Sequence, residues 1–259
     1  MKINYSKHLI LSFWLTLFTF LITIPVLAEE TTIIVRAKAK DAKFIGSSIG
    51  GAYVIIREHL TGKILAEGIT EGSTGNTEVI MQTPISRGQL LSDDKTAAFK
   101  ATLDIDKSTF VTIEVYGPVS SRQATVLSST QLWLIPGKDI VGDGIIIEIP
   151  GFVVDILSPQ THETVDSKSQ KITIRANIVM MCGCPITKDG LWDSDEYEIA
   201  ANIYRDGDKF KTMPLQSQKK ASTFSTEIML EEGNYQIEVY AFDPKTGNTG
   251  LDKVNFKVK

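Results

Sequence analysis

The chain has 259 residues, 27 Lys and Arg against 31 Asp and Glu, a formal net charge of −4 at neutral pH, and only two cysteines. A mildly acidic chain without basic clusters is a poor match to nucleic acid or anionic lipid. Two cysteines cannot staple a chain of this size, so burial of apolar surface must hold it together.

The first 28 residues read as a cleaved signal peptide. Lys2 and Lys7 make a positive start, residues 9–27 are almost continuously apolar, and Val26, Leu27 and Ala28 supply the small-residue cleavage site before Glu29 and Glu30. The competing reading is an uncleaved membrane anchor, since residues 10–27 approach the length of a bilayer span. Pro25 favours cleavage, and the absence of a cysteine at the site argues against a lipid anchor. Cleavage removes two lysines and no acid, taking the formal charge from −4 to −6.

After the signal the sequence is β throughout: short or alternating apolar runs bounded by Gly, Asp, Asn, Ser and Pro. Strands are predicted at 32–35, 52–57, 64–69, 77–81, 98–103, 110–116, 131–135 and 145–149. A second set follows at 152–157, 171–179, 197–204, 223–230, 235–242 and 253–258. No window of helical length carries a sustained 3.6-residue apolar period, so the pattern predicts an all-β fold of two tandem antiparallel β-sandwich domains. Pro150-Gly151 interrupts the run between two apolar strands and divides the mature chain into 29–150 and 151–259. So short a linker predicts two domains whose mutual orientation is fixed by contact.

In the first domain, residues 51–57 lead through Thr61-Gly62-Lys63 into residues 64–70, with Gly62 suited to a tight turn of positive φ. Strand, Thr-Gly turn, strand and Gly-Xaa-Thr ending resemble the prealbumin-like or carboxypeptidase-regulatory-like β-sandwich over about residues 31–118. In the second, Gly233-Asn234-Tyr235 opens a strand that closes on Ala241-Phe242-Asp243 and a turn through Gly247-Asn248. That run resembles the last two strands of bacterial immunoglobulin-like domains and covers about residues 152–259. Such domains serve as spacers, adhesion modules or substrate-binding accessories.

Both cysteines lie in Met180-Met181-Cys182-Gly183-Cys184-Pro185. The immunoglobulin-like resemblance places them in a loop at one tip of the domain, beside the turn after Asp243, so Met180, Met181, Cys182, Cys184, Trp192, Asp193, Asp195 and Asp243 form the candidate site. Three readings compete there. Cys182 and Cys184 form a small disulfide ring open to thiol exchange; the two thiolates with Met180 or Met181 bind Cu(I), which soft sulfur donors suit; or the group is loop packing around an inert bridge. Trp192, Asp193, Asp195 and Asp243 are the ligand-facing part of this tip.

Other candidates are weaker. Asp189, Asp193, Asp195 and Glu196 do not reproduce a calcium-loop spacing, so Ca²⁺ is not expected. His59 and His162 sit in separate domains, which argues against a zinc or Ser-His-Asp site. Trp133 and Trp192, one per domain, read as packing before they read as a sugar platform. Glycines 46, 50 and 51 do not match a phosphate-cradling spacing.

The sequence thus predicts a periplasmic or secreted, non-enzymatic binding or assembly module without a cofactor, whose partner is an envelope or extracellular protein, with no nucleic acid and no membrane span after signal cleavage. The alternatives are a periplasmic copper or thiol handling factor using Cys182 and Cys184, and an accessory module for carbohydrate or envelope polymers, which an exposed Trp192 would favour.

Overall fold

A computed structural model describes residues 29–166 and 171–259; the signal peptide and the membrane-anchor alternative lie outside the described residues. No described helix is long and apolar enough to cross a membrane.

The strands in chain order are β1 (Glu29–Ala39), β2 (Tyr53–Glu58), β3 (Ile64–Ile69), β4 (Phe99–Ile105), β5 (Thr109–Gly117), β6 (Val126–Leu134) and β7 (Ile140–Ile149). Past Pro150-Gly151 come β8 (Phe152–Ser158), β9 (Thr164–Val165), β10 (Ile172–Met180), β11 (Glu198–Arg205), β12 (Asp208–Pro214), β13 (Gln216–Ser217), β14 (Thr223–Ile228), β15 (Gly233–Phe242) and β16 (Thr249–Val258). Among the described residues no strand on one side of Gly151 pairs with a strand on the other.

The first seven strands make a three-stranded sheet, β4-β1-β7, and a four-stranded sheet, β3-β2-β5-β6. Alternation decides which side of each strand is inside: Val111, Ile113 and Val115 of β5 and Val54 and Ile56 of β2 are fully buried, leaving Phe110, Thr112, Glu114 and Tyr116 to face outward. Gly62 takes the expected positive φ of 72° between β2 and β3. One expectation is corrected here. Residues 77–81 are not a strand: Glu78–Gln82 forms a single π-helical turn, started by Asn76, whose side chain accepts from the backbone N–H groups of Glu78 and Val79. Within these two sheets the pairing is antiparallel, except that β1 runs parallel to β7.

The second set forms β13-β14-β10-β8 facing β12-β11-β15-β16-β9, with β9 parallel to β16. The orders β8-β10-β14-β13 and β11-β15-β16 correspond to the ABED and CFG sheets of an immunoglobulin-like sandwich. Tyr235, at the start of β15, donates its hydroxyl to the carbonyl of Glu231 at 3.0 Å, which is the tyrosine corner of that architecture. The core side chains of both sandwiches join in one continuous buried cluster.

Candidate functional site

Immediately after β10 the chain doubles back. The N–H of Gly183 donates to the carbonyl of Met180 at 2.7 Å, the N–H of Met180 to the carbonyl of Cys184 at 3.1 Å, and Gly183 adopts a φ of 76°. This curl brings the two sulfurs within disulfide distance, with the Cα atoms 5.4 Å apart. Met180, Met181, Cys182 and Cys184 are all buried. A Cβ on Gly183 would lie 3.3 Å from Cδ1 of Ile49, so the curl rests directly on the first sandwich.

Trp192 is also buried, and its Nε1 donates to the carbonyl of Asp41 at 2.9 Å. Asp243, 2% exposed, accepts from the N–H of Lys245 and the hydroxyl of Thr246, which closes the β15-β16 turn. Asn248 is fully buried: its Oδ1 accepts from the N–H of Gly151, while its Nδ2 donates to the carbonyl of Lys40. Lys40 reaches back from the first sandwich, its Nζ donating to the carbonyl of Thr246 at 2.7 Å. On the opposite flank, Gln123 bonds the carboxylate of Asp155.

The expectation of a ligand-facing tip is therefore corrected for Trp192 and Asp243. The loop end of the second sandwich is docked on the end of the first, and these side chains lie in or beneath the contact. Of the predicted tip, Asp193 is half-buried, its carboxylate capping a short turn by accepting from the N–H of Asp195. Asp195 is exposed and pairs with Lys188 at 3.4 Å. The neighbouring acids are divided likewise, Glu196 meeting Lys245 at 2.6 Å. Among the described residues no group of three or more His, Cys, Asp or Glu side chains is placed to hold a metal ion.

The junction is acidic. Burial and then the Asp243 charge raise the carboxyl of Asp41 above its ordinary value. Burial also pushes the Tyr197 phenol up, reinforced by Asp243, Asp41, Glu196 and Asp193. Sequence reasoning missed Asn248, and no signal could have found it: a polar residue in a turn carries no apolar pattern, and only the tertiary contact reveals that it brackets Lys40 and Gly151. Beside the junction lies a cleft of about 530 Å³ between the turn at Arg122–Ala124 and β15-β16, with Phe152, Met181 and Leu251 among its walls.

The tryptophan left in solvent is the other one. Trp133, on β6, is 61% exposed and packs against Phe110 of β5 with ring centroids 5.1 Å apart. Phe110 in turn meets His59 edge-on at 5.2 Å. Packing within a sandwich was the expected place for Trp133; β-strand alternation instead turns it away from the core, while Leu132 and Leu134 face inward.

No protein-family model matches the sequence, and no curated protein matches it. Among solved structures, an engineered protein shares 15% identity over 49% of this chain with a TM-score of 0.32, and the chain covers only 24% of its length. Fibronectin(III)-like modules of Clostridium thermocellum CbhA match at 14% identity and TM-score 0.27, covering 92% of each chain. The titin domains Z1Z2, solved in complex with telethonin, match at 11% identity and TM-score 0.25 over 90% of this chain and 88% of theirs.

Proposed function

We propose that the chain is an exported, non-enzymatic binding or assembly module of the cell envelope. In this reading residues 29–150 form a prealbumin-like sandwich and residues 151–259 an immunoglobulin-like one. The junction is the observation that carries it. Trp192, Asn248, Lys40 and the Cys182-Gly183-Cys184 curl are all committed to fixing one sandwich on the other. A tandem held this way presents its outer sheet faces at a set spacing, as a scaffold or binding module requires.

The disulfide reading is favoured over copper. Cu(I) binding needs two thiolates, and a bridge between Cys182 and Cys184 removes both. A native mass spectrum of the exported protein, isolated without reductant or chelator, tests the proposal. The expected species begins at Glu29, lacks two hydrogens and carries no metal. Retained thiols with one bound copper, lost in Cys182→Ser, would replace this reading with copper handling; a mass retaining residues 1–28 would remove the soluble exported module.

A further inference from the structure

Among the described residues no element covers the aromatic end of the outward face of the β3-β2-β5-β6 sheet, where Trp133 is 61% exposed, and the composition of this face is specific. Register places Trp133 opposite Phe110, and Gln131 opposite Thr112, which itself faces Arg57. Two steps further along, Glu114 stands beside Ile55. The far end returns to aromatic and aliphatic surface at Tyr116 and Tyr53, with Leu127 half exposed beside them. Ile55 is only 7% exposed, so neighbouring side chains lie over it in the middle of the face, between two aromatic rims. Phe110 and Tyr116 are six positions apart on one strand, about 20 Å at roughly 3.3 Å per residue.

The one cation between the rims is paired, and the Glu67 carboxylate is hydrogen-bonded but keeps its charge. Arg57 pairs with Glu114 at 3.2 Å, and the hydroxyl of Tyr53 donates to Glu67 at 2.6 Å. What remains for a ligand is ring faces at both rims and, between them, an uncharged cluster in which the Gln131 amide nitrogen and the Thr112 hydroxyl already bond each other and His59, leaving the Gln131 amide oxygen as an acceptor. Such a surface complements a neutral chain of polyol rings, whose C–H faces pack on aromatic planes while its hydroxyls bond amides and hydroxyls. It offers no unpaired cationic group to a phosphate backbone or an acidic peptide.

We propose that this face binds a neutral polysaccharide laid along β5, with Trp133 and Phe110 as the principal stacking platform. This deepens the binding-module reading above and rests on it. The mature protein, residues 29–259, is run in native gels cast with graded amounts of hydroxyethyl cellulose, a mixed-linkage β-glucan or a galactomannan, and its affinity is read from retardation against polymer concentration. Retardation by at least one polymer is expected, with affinity at least tenfold weaker in Trp133→Ala. Phe210→Ala, an exposed aromatic on the other sandwich, serves as the surface control and binds as the parent does. Absence of retardation by all three polymers overturns the proposal, as does equal loss in both variants. A parent that sediments as a dimer and becomes monomeric in Trp133→Ala, without polysaccharide binding, overturns it in favour of a self-association face. None of these failures touches the mass-spectrometric test of export and bridging, so the two readings fail separately.

Discussion

The indole Nε1 of Trp192 donates to the carbonyl of Asp41 at 2.9 Å, across 151 residues of sequence and from one sandwich to the other. Donor and acceptor belong to different sandwiches, so the bond exists only when the two are docked. Replacing Trp192 by Ala removes a large buried ring as well as the donor, a change that typically costs about 3 to 5 kcal/mol. Urea unfolding of Trp192→Ala is expected to show that loss, with limited proteolysis newly cutting near residue 150. Unchanged protease resistance there would mean that the apolar contacts alone hold the junction.

Asn248 tests the polar side of the same contact. Its side chain serves Gly151 on one side and Lys40 on the other from a fully buried position. Asn248→Ala strands a buried N–H and a carbonyl, at about 1 to 3 kcal/mol for each unsatisfied group. The urea midpoint should fall accordingly, and Asn248→Asp should fail to rescue it because a carboxylate cannot donate to the Lys40 carbonyl.

Most of the strands were legible because one face of each is buried, which writes a period of two into the sequence; β5, with its strictly alternating pattern, is the clearest. β12 left no such trace. Asp208–Pro214 is an edge strand with nearly every side chain in solvent, so neither face is apolar, and its Lys209 and Lys211 suit an unpaired edge. The turn at Glu78–Gln82 reads as a strand because Val79, Ile80 and Met81 make a short apolar run between polar residues, yet Asn76 nucleates a turn by local bonding. The residues of the candidate tip follow β10 and the β15-β16 turn along the chain, but their burial depends on a second sandwich that no local pattern encodes. The aromatic face is invisible for a related reason: Trp133, Phe110 and His59 are far apart in sequence and become neighbours only once strand register is set.

Gly151 marks the crossing between the sandwiches with a φ of 121°, and a Cβ there would sit 2.8 Å from both Met181 Cε and the Thr249 carbonyl oxygen. Gly62 also has a positive φ, 72°, but opens onto empty space. Gly62→Ala should therefore cost only the conformational penalty, about 1 to 2 kcal/mol, while Gly151→Ala costs clearly more because backbone must move as well. Thermal unfolding of the pair checks the order; equal midpoints would show that the crossing has room to adjust.

Arg36 projects from the outer face of β1 yet is only 5% exposed, because residues 91–97 cross over it. Its guanidinium donates to the carbonyls of Thr96 and Ala97, and the strap is tied again where the Asp143 carboxylate accepts from the N–H groups of Leu91 and Ser92. Arg36→Met keeps the stem and deletes the charged donors, an expected loss of about 1.5 to 3 kcal/mol. Trypsin cleavage after Arg87 or Lys95 should accelerate more than global unfolding does. Cleavage that tracks global stability would show that the strap does not open by itself.

Asp155 gives the pH dependence a sign. Its ordinary value of 3.8 is raised by burial first and by the facing Asp252 carboxylate second, with the Gln123 amide acting more weakly in the opposite direction. A carboxyl raised in the folded state favours folding when protonated. Its contribution is complete below the unfolded value and is lost as pH rises through the folded one. Asp155→Asn removes the charge while keeping an oxygen to accept from Gln123. The variant should be more stable than the parent at neutral pH, and the two stabilities should converge as pH falls below about 3.8. Urea midpoints measured across that range decide the matter: a variant less stable than the parent at neutral pH would show that the Gln123 bond to a charged acceptor, one of the ties across the junction, outweighs the repulsion from Asp252.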